Sequence, residues 1–305
     1  MGNKSDKSLE ERILEDIDKT GFITELEIAS KFLEKKWSVI HSSTYEDLDY
    51  NISREIDLIA NFYLFDFFTD QDINVSVKLI IEVKKVSKRP WVIFSSPGTS
   101  KLFANHLGWN LLHNAKNHES IISNDGDKYE TLLNIFDDDV LEESNYFNIN
   151  KNYGRAFHES FKAPNEPSKI YESLLTVSKA SLYEYQKAKG SDIENFGEEK
   201  EMDYENSIDL EIFVPVIILE GNLFEVYLNK NGKKELKRAD YIPIDFKYSS
   251  PKYKSEKFQE LNLYPIIVDL KHLDQFILHM ESWATSIKNN MNMRLNYRKS
   301  KLNIK

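Results

Sequence analysis

Two stretches rich in branched and aromatic residues, Ile56–Phe68 and Val75–Val86, are separated by a short run of turn formers, Asp70–Asn74. Such residues fit a pleated, half-buried surface, and the turn formers between them lay the two runs side by side. The chain is therefore expected to build a sheet around this pair. Each run carries charge where a buried strand tolerates it least. Asp57 sits in Arg54-Glu55-Ile56-Asp57-Leu58-Ile59-Ala60, and Glu82 and Lys84 sit in Leu79-Ile80-Ile81-Glu82-Val83-Lys84. A charge inside an apolar strand is costly unless it is paired, hydrated or bound to metal.

The surrounding sequence supplies helices and more strands. Residues 8–19 alternate charged and apolar positions at helical spacing, and Gly21 breaks the pattern. A second helix follows, with Thr24 as N-cap, an apolar stripe of Ile28, Ala29, Phe32 and Leu33, and Trp37 just past its end. Ser38–His41 reads as a short strand, 42–53 as a polar loop, and Trp91–Ser95 as a further strand. Residues 101–190 read as mainly helical, notably Leu102–Asn117 and Ile170–Lys189, and 192–209 as an acidic connector. Leu210–Leu219, a turn at Glu220–Asn222 and Leu223–Leu228 read as a hairpin. Tyr241–Lys247 and Tyr264–Asp269 are further strands, and a last helix, Leu270–Asn290, precedes a basic tail. The expected class is α/β, with a mixed central sheet flanked by helices. Residues 1–100 would form the core, 101–205 a helical insertion with its connector, and 206–305 a strand-rich part extending the core sheet.

The 305 residues include no cysteine, which excludes disulfides and cysteine-ligated zinc and makes a reducing cytoplasm the simplest home. The N-terminus is too polar for a secretory signal. The longest apolar run, around Ile212–Leu219, suits a buried strand and not a bilayer span. The formal net charge of −10 opposes contact with phosphates, yet the charge is patchy. Cations cluster at Lys84, Lys85, Lys88 and Arg89; at Lys230, Lys233, Lys234, Lys237 and Arg238; and in the tail at Arg294, Arg298, Lys299, Lys301 and Lys305. Acids gather at Asp137–Glu143 and Asp192–Asp209.

Strand parity gives the charges a shared direction. Side chains two apart on a strand point the same way, so Glu82 and Lys84 share a face while Ile81 and Val83 take the other. If the two strands pair antiparallel, Asp57 lies beside Glu82. Two carboxylates, with the Val83 carbonyl as a further ligand, suit a hard cation such as Mg²⁺ or Mn²⁺. Such a cation acidifies water and stabilises the charge of a phosphodiester transition state, and Lys84 would orient the water or stabilise that charge.

This ordered set, a helix, a strand with Asp57, then Glu82-Val83-Lys84, resembles the PD-(D/E)xK nuclease superfamily, which includes restriction endonucleases and Holliday-junction resolvases. The resemblance spans roughly residues 21–96. It departs at Ile56, where the name-giving motif has proline. It implies a restriction-endonuclease-like core and Mg²⁺-dependent hydrolysis of DNA, with Mn²⁺ as substitute. It also implies Asp57, Glu82 and the Val83 carbonyl as metal ligands and Lys84 as catalytic lysine. Many members place a glutamate on the preceding helix. Glu25, in line with Ile28, Ala29 and Phe32, maps there better than Glu27, which lines up with Ser30, Lys31 and Glu34. A role in defence against foreign DNA or in repair would fit the family.

Lys85, Lys88 and Arg89 follow the catalytic strand and would grip the nucleic-acid backbone, or else serve solubility. Trp91 and Phe94 read as core rather than base-stacking residues. The histidines form no pair at metal-ligand spacing, and no P-loop, dinucleotide-binding or serine-hydrolase motif is present. Rival readings are a non-catalytic nuclease-like interaction module, and a nuclease subunit active only in a complex. The plain structural alternative is a hairpin in which Lys84 simply pairs with Glu82. RNA stays open as a substrate, and a homodimer or a partner protein as an assembly.

Overall fold

In the computed structural model, which describes residues 7–18, 20–47, 49–65, 73–97, 112–116, 152–163, 165–194, 208–248 and 261–302, two long parallel strands form a spine. These are β3 (Ile73–Pro97) and β6 (Ile208–Leu228), paired from Ile73↔Ile208 to Phe94↔Val226. Parallel strands are covered on both faces and must be apolar on both. Val75, Val77, Leu79 and Ile81 enter one core, while Ile80, Trp91 and Ile93 enter the other.

Every other strand of the nine-stranded sheet adds to an outer edge of this spine or to a strand already there. On the β3 edge, β1 (Ser38–Asp47) pairs antiparallel with β2 (Ile52–Leu64), and β2 pairs antiparallel with β3 from Leu64↔Val75 to Leu58↔Ile81. Farther along the same edge lies β5 (Asn152–Glu159), from Trp91↔Glu159 to Pro97↔Asn152. The β6 edge takes three strands in succession: β4 (Leu112–Lys116), β11 (Ile266–Asp269) and β7 (Lys234–Arg238). β8 (Tyr241–Pro243) pairs with β11, while β9 (Phe246–Tyr248) and β10 (Leu261–Leu263) form a separate pair.

Helices cover both faces. α1 (Leu9–Ile17) buries no residue. α2 (Phe22–Glu34) and α4 (Leu273–Leu302) share one core, through Ile28, Ala29 and Phe32 and through Phe276, Ile277, Met280, Trp283, Ala284 and Ile287. α3 (Lys169–Glu194) brings Ile170, Leu174 and Val177 to the other. The fold is thus a mixed α/β sheet flanked by helices, as the sequence leads one to expect.

Five local expectations are corrected. Val75–Val86 and Trp91–Ser95 are one strand, interrupted by a bulge: between the pairs Val86↔Gly221 and Trp91↔Leu223, β3 spends three more residues than β6. The expected hairpin at Glu220–Asn222 is straight strand. Gly221 serves close approach rather than turning, because a Cβ there would lie 2.7 Å from the Val86 carbonyl oxygen. Residues 42–47 are strand and not loop; their polarity reflects the exposure of most of β1. In the block expected to be helical, the described residues 112–116 and 152–159 are sheet strands and Lys169–Glu194 is helix, while 101–111 and 117–151, with Asp137–Glu143 among them, lie outside the described residues. Thr24 is not the N-cap. Gly21 is, without a side-chain cap, and the Thr24 hydroxyl donates to Glu220.

One buried ion cluster ties α3 to the β1–β2 end of the sheet. Lys179 Nζ lies 2.9 Å from Asp47 Oδ1 and 2.8 Å from Asp49 Oδ2, and Arg54 also binds Asp47 at 2.8 Å. Burial works to raise the Asp47 pKa, but Lys179, the Asp49 amide and Arg54 outweigh it and hold the carboxyl below its usual value. A depressed carboxylate contributes stability above the unfolded-state pKa and loses it as pH falls through the folded value. Lys179→Ala leaves Asp47, 1 % exposed, without its main partner, and is expected to cost about 3–5 kcal/mol. Gly221→Ala is expected to cost about 1–3 kcal/mol by overpacking against backbone. Urea unfolding of both variants checks these values.

Candidate active site

Among the described residues no strand pairs with the β3 edge between Ile81, where the pairing with β2 stops, and Trp91, where the pairing with β5 starts. Glu82-Val83-Lys84 lies in that gap. The register that pairs Leu58 with Ile81 places Asp57 opposite Glu82 one step on, where the ladder has already opened. Asp57 reaches across the opening, and its Oδ2 accepts from the Val83 N–H at 2.6 Å. The N–H and C=O of one strand residue leave the backbone on the same side, so the Val83 carbonyl also faces the gap.

Glu82 is 7 % exposed, and its carboxylate pairs with the Lys84 ammonium. Parity holds here: Ile81 and Val83 join one core, and Glu82 and Lys84 take the opposite side. Burial, with Asp57 and Glu25 adding repulsion, pushes the Glu82 pKa up to about 7 against the opposing pull of Lys84. Burial also raises Asp57, helped by Glu55 and opposed by the Val83 amide and Lys84. Glu25, half-buried on α2, is raised first by burial and then by Asp57 and Glu55, so its carboxyl lies within the electrostatic reach of the same cluster. Glu27 is exposed.

The flanking cations are placed differently from one another. Lys85 pairs with Glu220 at 3.2 Å and approaches the Asp18 carbonyl oxygen. Arg89 forms a two-toothed pair with Glu166, one contact at 3.0 Å. Lys88 is exposed on the bulge. Sequence reasoning missed three acids here: Glu55, which shares the Asp57 field, and Glu220 and Glu166, which hold Lys85 and Arg89. Glu55 had a local signal, two residues before Asp57. The other two are distant in sequence and gave none.

The groups that could hold a cation are Asp57, Glu82 and the Val83 carbonyl. Among the described residues no group of three His, Asp or Glu side chains is arranged to hold a metal. A hard cation would therefore complete its shell with the main-chain oxygen and water, as Mg²⁺ commonly does. The carboxylate oxygens not engaged by Val83 and Lys84 are the ones available for it, so the donor chemistry fits. Compared with known protein families, curated proteins and solved structures, the chain finds no match in any of the three.

A carboxyl whose folded pKa is raised loses stability as pH climbs from its unfolded value towards the folded one. Metal-free protein is therefore expected to be less stable at pH 8 than at pH 5 through Glu82. Glu82→Gln should remove that cost, worth on the order of 3 kcal/mol at pH 8, with much less gain at pH 5. Urea unfolding at both pH values in EDTA measures it.

Proposed function

We propose that the chain is a divalent-metal-dependent nuclease whose site is the opening between β2 and β3. The observation that carries this reading is the opposition of Asp57 and Glu82 across that opening, with Lys84 beside Glu82 and a main-chain oxygen facing the same gap. Buried carboxylates with raised pKa values lack a sufficient partner, and a cation would supply one. Mg²⁺ or Mn²⁺ held there would acidify water and offset charge on a phosphoryl group.

The protein groups have distinct tasks in this reading. Asp57 and Glu82 hold the cation, and the Val83 amide fixes the Asp57 rotamer. Lys84, beside Glu82, would orient the attacking water and offset charge on the phosphoryl oxygens. Glu25 accepts a proton or orients a second water from the α2 side. The substrate proposed is DNA.

Incubation with plasmid in Mg²⁺ should give cleavage that EDTA abolishes. Asp57→Ala, Glu82→Ala and Lys84→Ala should each lower the rate about 10²-fold or more. Glu25→Ala should lower it more than Glu27→Ala does. Cleavage that survives in Asp57→Ala or Lys84→Ala would sink the assignment. Variants with native unfolding curves and no wild-type cleavage would leave a non-catalytic module as the better reading.

A further inference from the structure

Beyond the bulge, β3 and β6 continue into a distal section flanked by β5 and β7. One side of it is packed: Trp91, Ile93 and Leu223 are buried there, and Glu225 is held by Ser95 and by Lys237 at 2.9 Å. The other side is open. Phe94, expected from sequence to be core, is 41 % exposed, and Leu228 and Leu236 are 68 % and 61 % exposed. The pairs Phe94↔Val226↔Leu236 and Val92↔Phe224↔Arg238 place these side chains in adjacent rows on one face. Ala156 and His158, both exposed, extend the same rows onto β5.

The face combines apolar surface with unspent positive charge. Lys234 and Arg238 project from it, and the Arg238 guanidinium lies over the Phe224 ring at 5.3 Å from its centroid. All five residues of β7 are exposed, so no core requirement explains this strand. Among the described residues, Lys230, Lys233, Lys234 and Arg238 have no acidic partner, in a chain whose net charge is −10. Edge lysines also deter strand pairing, but that role does not account for exposed aromatic and aliphatic side chains on the same face. Two aromatic rings on neighbouring strands of an open sheet, rimmed by cations, match what unstacked bases and their phosphates require.

The geometry points to this face as a platform for single-stranded DNA, with Phe94 and the Arg238 guanidinium over Phe224 stacking bases and Lys234 meeting phosphates. The inference rests on the nucleic-acid reading of the cleft; the rows lie on the sheet face that carries Ile81 and Val83, opposite Glu82 and Lys84, so a strand joining cleft and platform would pass round the β3 edge. Glu82 pairs with Ile217, and Phe224 lies seven residues further along β6, about 23 Å at the usual strand rise. Duplex DNA hides the faces of its bases and would not use the rings.

The test is fluorescence anisotropy with the full chain in EDTA, using a labelled single strand of about 12 nucleotides, the matching duplex, and the same strand as RNA. Single-stranded DNA should bind more tightly than duplex. Phe94→Ala should weaken it roughly 5- to 150-fold, and Phe94→Trp should retain it. Lys234→Glu with Arg238→Glu should weaken it and flatten its salt dependence. These are exposed positions, and unchanged thermal unfolding confirms folding. Equal affinity for duplex, selective binding of RNA, no effect of Phe94→Ala, or a dimer that Phe94→Ala dissociates would each overturn the proposal. Cleavage is read separately in the plasmid assay with Mg²⁺: strand binding here with no cleavage there sinks the nuclease reading alone, and cleavage there with no strand binding here sinks this proposal alone.

Discussion

The parallel pairing of β3 with β6 is the constraint on which the rest of the structure depends. Both strands are buried on two faces over most of their length, so their hydrogen bonds are shielded from water and their apolar side chains feed both cores. Two strands of this length leave outer edges too long for one neighbour each. The β3 edge is therefore shared by β2 and β5, and the β6 edge by β4, β11 and β7. The interval between β2 and β5 is what exposes the backbone around Val83 to a side chain instead of a strand. The bulge after Val86 and the glycine at 221 let the spine continue past that interval.

The electrostatics of the opening follow from the same arrangement. Glu82 is carried by a strand otherwise committed to the core, so it is buried whether or not a counter-charge is supplied. Lys84 supplies a partial one. Asp57 and Glu25 add negative charge from two other elements, and the carboxyl pKa values rise in response. The contrast with Asp47 is instructive. That carboxylate is likewise shielded from solvent, yet its pKa falls, because Lys179 and Arg54 converge on it. One acidic cluster is satisfied within the chain and the other is left short of positive charge.

What was legible in the sequence and what was not divides along physical lines. The facing of Glu82 and Lys84 was legible because strand parity is fixed by local geometry, and the inward position of Glu25 because helix periodicity is. The continuity of β3 and β6 was not. Glycine marks either a turn or a close approach, and nothing local to Gly221 distinguishes them. The sequence shows the strand at Ser38–His41 but reads the rest of β1 as loop and β5 as helix, because exposed edge strands carry polar residues. The ion pairs of Lys85 with Glu220 and of Arg89 with Glu166 span 135 and 77 positions in the chain, the differences of their residue numbers, and no periodicity reports such contacts. The exposure of Phe94 was likewise invisible, since a phenylalanine in a strand is ordinarily core.

The central claim is that Asp57 and Glu82 form a cation site, and the most direct measurement is calorimetric titration of Mn²⁺ near pH 6.5 in buffers of different ionisation enthalpy. A cation displaces the proton held by a carboxyl whose pKa is about 7, so binding should release protons at pH 6.5 and release few above pH 8. Asp57→Asn should weaken the binding, and Glu82→Gln should abolish the proton release. Mn²⁺ binding unchanged in both variants, or no binding to the wild-type chain, would contradict the account.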